Sequence, residues 1–245
     1  MNASPRLGLA LTPIAVFYVI ACAWSWPLFW WRDLRPDSWQ AWALPGVLKT
    51  ALYMWGPGLA GLMCWRFCPP PRPRRFSFFG PRPTITGAFF AVPGLILLAC
   101  QALPGPGASA PALAALLLGA SFVTVLGEEV GWRGFLQTAV GPLPAWRRYL
   151  IIAVLWELWH FTTRRTNRPL LGAVIATLIF IAVLFLLSAI IGEAVERSSS
   201  ILVAQTLHTW FDLVFELPGW RTVMALGLSM PLWLWLLRRQ TETSQ

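Results

Sequence analysis

The sequence predicts an all-α fold, a polytopic bundle of about eight transmembrane helices. Three observations predict it. Of the 245 residues, 57% are hydrophobic and only 12% are charged, whereas a soluble domain carries ~25% charged residues. Mean hydropathy is +0.61. Apolar runs of about 20 residues, enough to cross a bilayer core, recur along the chain between short breaks of proline, glycine and arginine.

The first run covers roughly residues 8–31 and the second roughly 44–67, each long enough to span. Met1 to Leu9 holds one arginine and no small-x-small cleavage site, so the first run reads as a retained span and not as a signal peptide. After the second comes Pro69-Pro-Pro-Arg-Pro-Arg-Arg-Phe76. Proline at this density prevents a continuous helix, and the stretch reads as an extended surface linker. The third run is roughly 84–103, followed by the turn Pro104-Gly-Pro-Gly107; the fourth starts near Pro111 and continues to about Val140. Gly141-Pro-Leu-Pro144 turns the chain into a fifth run, roughly 145–162. The sixth, seventh and eighth are roughly 169–192, 198–217 and 220–238. Neither an internal repeat nor a second domain is evident, so residues 1–245 read as one integral-membrane domain.

The net charge of +9 is carried by arginine, because Lys49 is the one lysine among 19 basic residues. Arg66, Arg72, Arg74, Arg75 and Arg82 follow the second run, and Arg238-Arg239 follow the eighth. The positive-inside rule then puts both termini in the cytoplasm, although Arg164, Arg165 and Arg168 fall on the opposite side in that scheme. No arginine-rich stretch interleaves with aromatics on a polar face, which excludes nucleic acid as a partner. Cys22, Cys64, Cys68 and Cys100 lie in or beside apolar runs. With no His or Cys cluster nearby they read as small buried hydrophobes, neither a metal site nor a disulfide framework. Among the 16 tryptophans, Trp30, Trp31, Trp39, Trp42 and Trp220 sit at run edges, as in an interfacial belt.

Polar residues inside apolar runs point to function. An ionisable side chain in a span costs at least ~2.5–3.5 kcal/mol, so it faces a protein interior or a wet cavity. The chain has Glu128, Glu129 and Arg133 in Gly127-Glu-Glu-Val-Gly-Trp-Arg-Gly134. It has Glu157 and His160 in Leu155-Trp-Glu-Leu-Trp-His160, and His208 and Asp212 in Gln205-Thr-Leu-His-Thr-Trp-Phe-Asp212. Glu193, Glu196 and Arg197 read as a polar loop between the sixth and seventh runs. If the fourth and fifth runs form a hairpin, Glu128 and His160 lie at depths that differ by only ~3 Å at 1.5 Å per residue. His208 also lies well inside its run, with Asp212 on the same helical face. Glu129 and Arg133 are i,i+4 with the acid first, the favoured order for a helical ion pair. Glu128 points ~100° away, has no partner on its own helix, and is the candidate base for activating water.

These residues alone leave several chemistries open. Neither the Gly-x-Ser-x-Gly elbow nor the His-Glu-x-x-His zinc helix is present. Glu128, His160 and His208 could bind zinc with a water as fourth ligand, activate water without metal, relay protons in a transporter, or simply join helices.

The order Glu128-Glu129-x-x-x-Arg133, Trp156-x-x-x-His160 and His208-x-x-x-Asp212 resembles the CPBP family, the CAAX prenyl protease and bacteriocin-processing (Abi) intramembrane proteases. Its motifs are Glu-Glu-x-x-x-Arg, Phe-x-x-x-His and His-x-x-x-Asn or Asp. The resemblance covers roughly residues 111–217, including Gly134-Phe135-Leu136-Gln137. It implies an endopeptidase that cuts a membrane-anchored protein or peptide: a prenylated C-terminus, a leader peptide or a sorting tail. Glu128 then activates water, and His160 and His208 stabilise the tetrahedral intermediate, with Asp212 completing the pocket. Glu129, Arg133, Trp156 and Glu157 support it. The family has been described both as metalloproteases and as metal-free glutamate proteases, and the metal-free form is favoured here; a zinc, if used, falls to Glu128, His160 and His208. The same fold also suits a non-catalytic immunity protein or membrane partner.

Two residues depart from the motifs. Trp156 replaces Phe, a larger ring at a packing position. Asp212 replaces the commoner Asn, and an ionised Asp cannot donate a hydrogen bond to an oxyanion, so it orients His208 or acts protonated. Glu157 is a partner for Arg164 and Arg165 or a pocket residue. The Arg-, Trp- and Ala-rich composition fits a bacterial inner (cytoplasmic) membrane.

Overall fold

The computed structural model describes residues 11–70, 76–160 and 169–241. The arginines of the linker (Arg72, Arg74, Arg75), the Arg164 and Arg165 expected to meet Glu157, Arg168, and the first ten residues lie outside the described part. Among the described residues the chain is helical, with one isolated bridge between Ser77 and Ser200 and no strand. It is a helical membrane bundle, and among the described residues five helices, where about eight spans were expected, are long and apolar enough to cross a bilayer.

The first of these, α1 (Leu11–Leu34), leads through a short α2 (Pro36–Ala41) to α3 (Gly46–Met54) and α4 (Gly56–Phe67). The second apolar run is therefore not one continuous helix. It breaks at Trp55, where Pro57 follows at the start of α4. Proline has no N–H to give the carbonyl four residues back. That carbonyl, on Tyr53, is taken instead by the Ser25 hydroxyl of α1 at 2.7 Å, as a buried backbone acceptor requires.

Next come α5 (Pro83–Ala102) and α6 (Pro111–Glu129), which passes without interruption into a π-helical turn (Val130–Leu136) and the brief α7 (Gln137–Ala139). Together these carry the fourth run from Pro111 to Ala139. The acidic motif thus straddles an α-to-π junction, and such bulges recur at functional sites. Two glycines let it pack against the broken second run. A Cβ on Gly127 would lie 2.6 Å from the Trp55 Cα, and one on Gly131 would lie 2.4 Å from the Pro57 backbone.

After α8 (Ala145–His160) come α9 (Leu170–Ser198), α10 (Ile201–Glu216) and α11 (Trp220–Thr241). Glu193, Glu196 and Arg197 were expected in a loop, and instead occupy the last turns of the 29-residue α9. Partners make this possible. Glu196 takes Arg148 of α8 at 2.6 Å, and Glu193 takes Arg197 at 2.9 Å. Ser199, in the left-handed region at φ 52°, ends α9. Ser77 and Phe78 then accept the first free N–H groups of α10, from Ile201 and Leu202, at 3.0 Å each. These contacts fix where α10 begins and so where His208 sits, two turns further in.

The core divides in two. One cluster joins α1, α4, the π turn, α8 and α9 through Phe17, Phe29, Trp132, Phe135, Trp156 and Trp159. The other joins α5, α9, α10 and α11 through Phe89, Leu97, Trp210 and Trp233. The polar motif residues lie where α6, α8 and α10 meet.

Candidate active site

The end of α6 delivers Glu128 and Glu129, the π turn delivers Arg133, the last two turns of α8 deliver Trp156 and His160, and α10 delivers His208 and Asp212. Glu128, Glu129, Arg133, Trp156 and His208 are all at most 4% exposed.

The anticipated pair forms, with Arg133 Nη1 donating to Glu129 Oε1 at 2.9 Å. The same oxygen faces His208 Nδ1 at 2.6 Å. Glu129 is therefore more than a helix-holding partner, since it joins α6 to α10. A carboxylate can only accept, so His208 carries a proton on Nδ1 and turns Nε2 the other way. There Asp212 Oδ2 lies 3.7 Å off, too far for a direct hydrogen bond but close enough to act as a charge. Asp212 is partly exposed, whereas Glu129 and His208 are buried.

Glu128 has no partner on α6, as its position on the helix requires. It is not unpartnered, however, because Trp156 Nε1 of α8 donates to its Oε2 at 2.7 Å. Helix α8 therefore reaches Glu128 through Trp156, where the hairpin argument had put His160. One turn further on, His160 Nδ1 donates to the Trp156 carbonyl at 3.1 Å. Its Nε2 then holds the lone pair in the neutral ring. His160 is half-buried, with its ring 6.0 Å from that of Trp156 and 4.6 Å from that of Trp159. Glu157 is buried but lies ~100° around the helix from Trp156.

Sequence reasoning missed what Trp156 does. Besides its hydrogen bond, its ring lies 4.5 Å beneath the Arg133 guanidinium and 4.9 Å from His208, edge to face. A tryptophan between motif residues reads as packing, and its donor is invisible until the fold aims it. Gln137 was noted only as part of the family resemblance, with no role assigned. It follows the motif and donates to the Gly192 carbonyl at 3.0 Å, tying the motif helix to α9.

Residues 110–214 match the family model for the Rce1-like type II CAAX prenyl endopeptidases. This segment resembles an Rce1-like domain. Its limits fall within three residues of the 111–217 that the motifs span, and it holds every residue of the cluster. The Rce1-like family is one of endopeptidases, consistent with the integral-membrane bundle described above. No curated protein and no solved structure matches the chain.

Of the metal-ligand set, Glu128 Oε2 is engaged by Trp156, His208 Nδ1 by Glu129 and His160 Nδ1 by a backbone carbonyl, so a metal would have to be met by the other Glu128 oxygen and by the Nε2 of each histidine. Among the described residues no three of His, Cys, Asp or Glu are arranged to hold a metal ion.

Proposed function

We propose that the Rce1-like domain hydrolyses a peptide bond in a membrane-anchored protein or peptide, with Glu128 as the base and without a metal. The observation that carries this reading is the division of labour between adjacent carboxylates. Glu129 is committed to Arg133 and His208, whereas Glu128 keeps one oxygen clear of the Trp156 bond.

In this reading Glu128 takes a proton from water as the hydroxide adds to the scissile carbonyl. His208 is held by Glu129 at Nδ1, and as an imidazolium it donates from Nε2 to the oxyanion. Asp212 keeps that ring edge in place and need not donate, which accommodates Asp where Asn is usual. His160 stands at the far side of Trp156 as a second group for the intermediate. The proton held by Glu128 then passes to the leaving amine. A preorganised donor in a water-poor site lowers the barrier by about 3–4 kcal/mol. The arginine-rich loops support a bacterial cytoplasmic membrane with cytoplasmic termini, and the family description supports a substrate with a lipidated C-terminus.

Purified protein in vesicles, given a farnesylated C-terminal peptide and an unprenylated membrane-anchored peptide, tests the proposal by mass spectrometry of the products. Cleavage of either by the wild type, with a loss of at least ~10³-fold in Glu128→Gln and in His208→Ala, is the expected result. Equal cleavage by Glu128→Gln overturns the mechanism. No cleavage of either peptide by a folded wild-type protein favours the non-catalytic reading.

A further inference from the structure

The indole of Trp156 touches three residues of the cluster, Glu128, Arg133 and His208. It is 1% exposed. Its Nε1–H reaches Glu128 Oε2 at 2.7 Å, its ring face meets Arg133 at 4.5 Å, and its ring meets His208 at 4.9 Å with an interplanar angle of 81°. Its carbonyl accepts from His160 Nδ1 at 3.1 Å. Trp132 and Trp159 back it from the core, with Trp132 at 6.3 Å from it and 5.9 Å from Trp159. One residue thus contacts the base, the buried cation and both histidines, although it has nothing to titrate.

We propose that Trp156 is a positioning residue for peptide hydrolysis, whose indole N–H holds one oxygen of Glu128 and so aims the other at the attacking water. The inference rests on the reading of Glu128 as the base. The physical reason is geometric. A buried carboxylate on a helix end rotates about its side-chain bonds, and a single fixed donor removes that freedom without neutralising the charge. A lysine or arginine in the same place would pair with Glu128 and take away its basicity, whereas an indole cannot. The ring face meanwhile supports Arg133, which in turn holds Glu129 and, through it, His208. A one-ångström displacement of a catalytic group can cost ~10²-fold in rate, so the N–H bond bears on kcat and not on substrate binding.

The test separates the donor from the ring. Site-specific Trp156→β-(3-benzothienyl)alanine keeps the bicyclic shape and replaces N–H with sulfur; Trp156→Phe keeps an aromatic ring and also lacks the donor. Both are expected to lose about 10–100-fold in kcat with KM unchanged, the range of a hydrogen bond to a charged group, and the isostere is expected to unfold with the wild type. Independently of any substrate, a ¹⁵N-tryptophan spectrum, with the Trp156 indole signal assigned by Trp156→Phe, should show that signal move on Glu128→Ala. An isostere as active as wild type, or an indole signal indifferent to Glu128→Ala, overturns the inference and leaves Trp156 as packing. If Glu128→Gln itself cleaves normally, the failure lies in the reading of the base and not in Trp156.

Discussion

Arg133 and Arg221 are both withdrawn from solvent, at 0% and 2% exposure, and each lies 4.5 Å from a tryptophan ring, Trp156 and Trp220, but their hydrogen bonding differs. Arg221, at the start of α11, spends all three nitrogens on backbone carbonyls: Nε on Cys100 at 3.1 Å, Nη2 on Leu103 at 2.9 Å and Nη1 on Pro106 at 2.8 Å. It closes the end of α5 and the turn after it. Arg133 makes one hydrogen bond, to an oxygen that His208 also uses, and rests its face on Trp156. Its Nε and Nη2 have no hydrogen-bond partner among the described residues. A saturated buried cation locks a loop. An incompletely satisfied one, tied to a shared carboxylate, belongs to a network whose arrangement serves something besides stability.

The comparison breaks most sharply at Arg133. Removing one partner of a buried ion pair leaves the other uncompensated, which costs about 3–5 kcal/mol. Arg133→Ala is therefore expected to lower stability by that amount in mixed-micelle unfolding and to abolish cleavage, because Glu129 loses the charge that lets it hold His208. Arg133→Lys should recover stability better than activity, since lysine offers a point charge without the planar face that meets Trp156. Full activity in Arg133→Ala would make it a structural cation like Arg221.

Arg221→Ala is the counterpart, with a smaller effect. Its three carbonyl bonds lie at a helix end and turn, where some acceptors can find water, so about 1.5–3 kcal/mol is expected. Activity per folded molecule should not change. A fall in kcat at unchanged folded fraction would tie the α5 end to the site and erase the contrast.

How much of this the sequence disclosed follows from distance along the chain. The Glu129–Arg133 pair was legible because both residues sit on one helix, four apart. The His208 contact to the same carboxylate spans 79 residues and the Trp156 contact to Glu128 spans 28. The apolar runs around both histidines pointed to burial, yet only the fold decides which carboxylate each meets. Helix existence was plain from the apolar runs. The break at Trp55 was less so, although Gly56-Pro57-Gly58 was its signal, because the hydrophobicity continues across it. Glu193, Glu196 and Arg197 misled in the other direction. Charges at the end of an apolar run resemble a loop until Arg148, on another helix, is brought alongside.

A smaller effect than either arginine is expected where the motif helix meets that break. Gly131→Ala places a methyl 2.4 Å from the Pro57 backbone, and backbone cannot step aside as a flexible side chain can. Overpacking of this kind costs about 1–3 kcal/mol. Because Gly131 lies between Glu129 and Arg133, the strain should appear as lost activity before lost stability, measurable as kcat against unfolding midpoint. Equal losses would show that the glycine serves packing alone.

The smallest expected effect is none, on treating active protein with a strong chelator. Among the described residues no three of His, Cys, Asp or Glu are grouped to hold a metal ion, and the charge at the centre of the cluster is the Arg133–Glu129 pair, whose carboxylate also takes His208. A catalytic zinc held by Glu128, His160 and His208 needs those three to converge within about 2.0–2.2 Å of one point, which requires α6, α8 and α10 to draw the free Glu128 oxygen and the two Nε2 atoms together. Unchanged cleavage after chelation, with metal below one equivalent by mass spectrometry, supports Arg133 and Glu129 as the charges that organise the site. Loss of cleavage restored by added zinc would put the cation at the centre of the cluster and reduce Arg133 to the structural role that Arg221 plays.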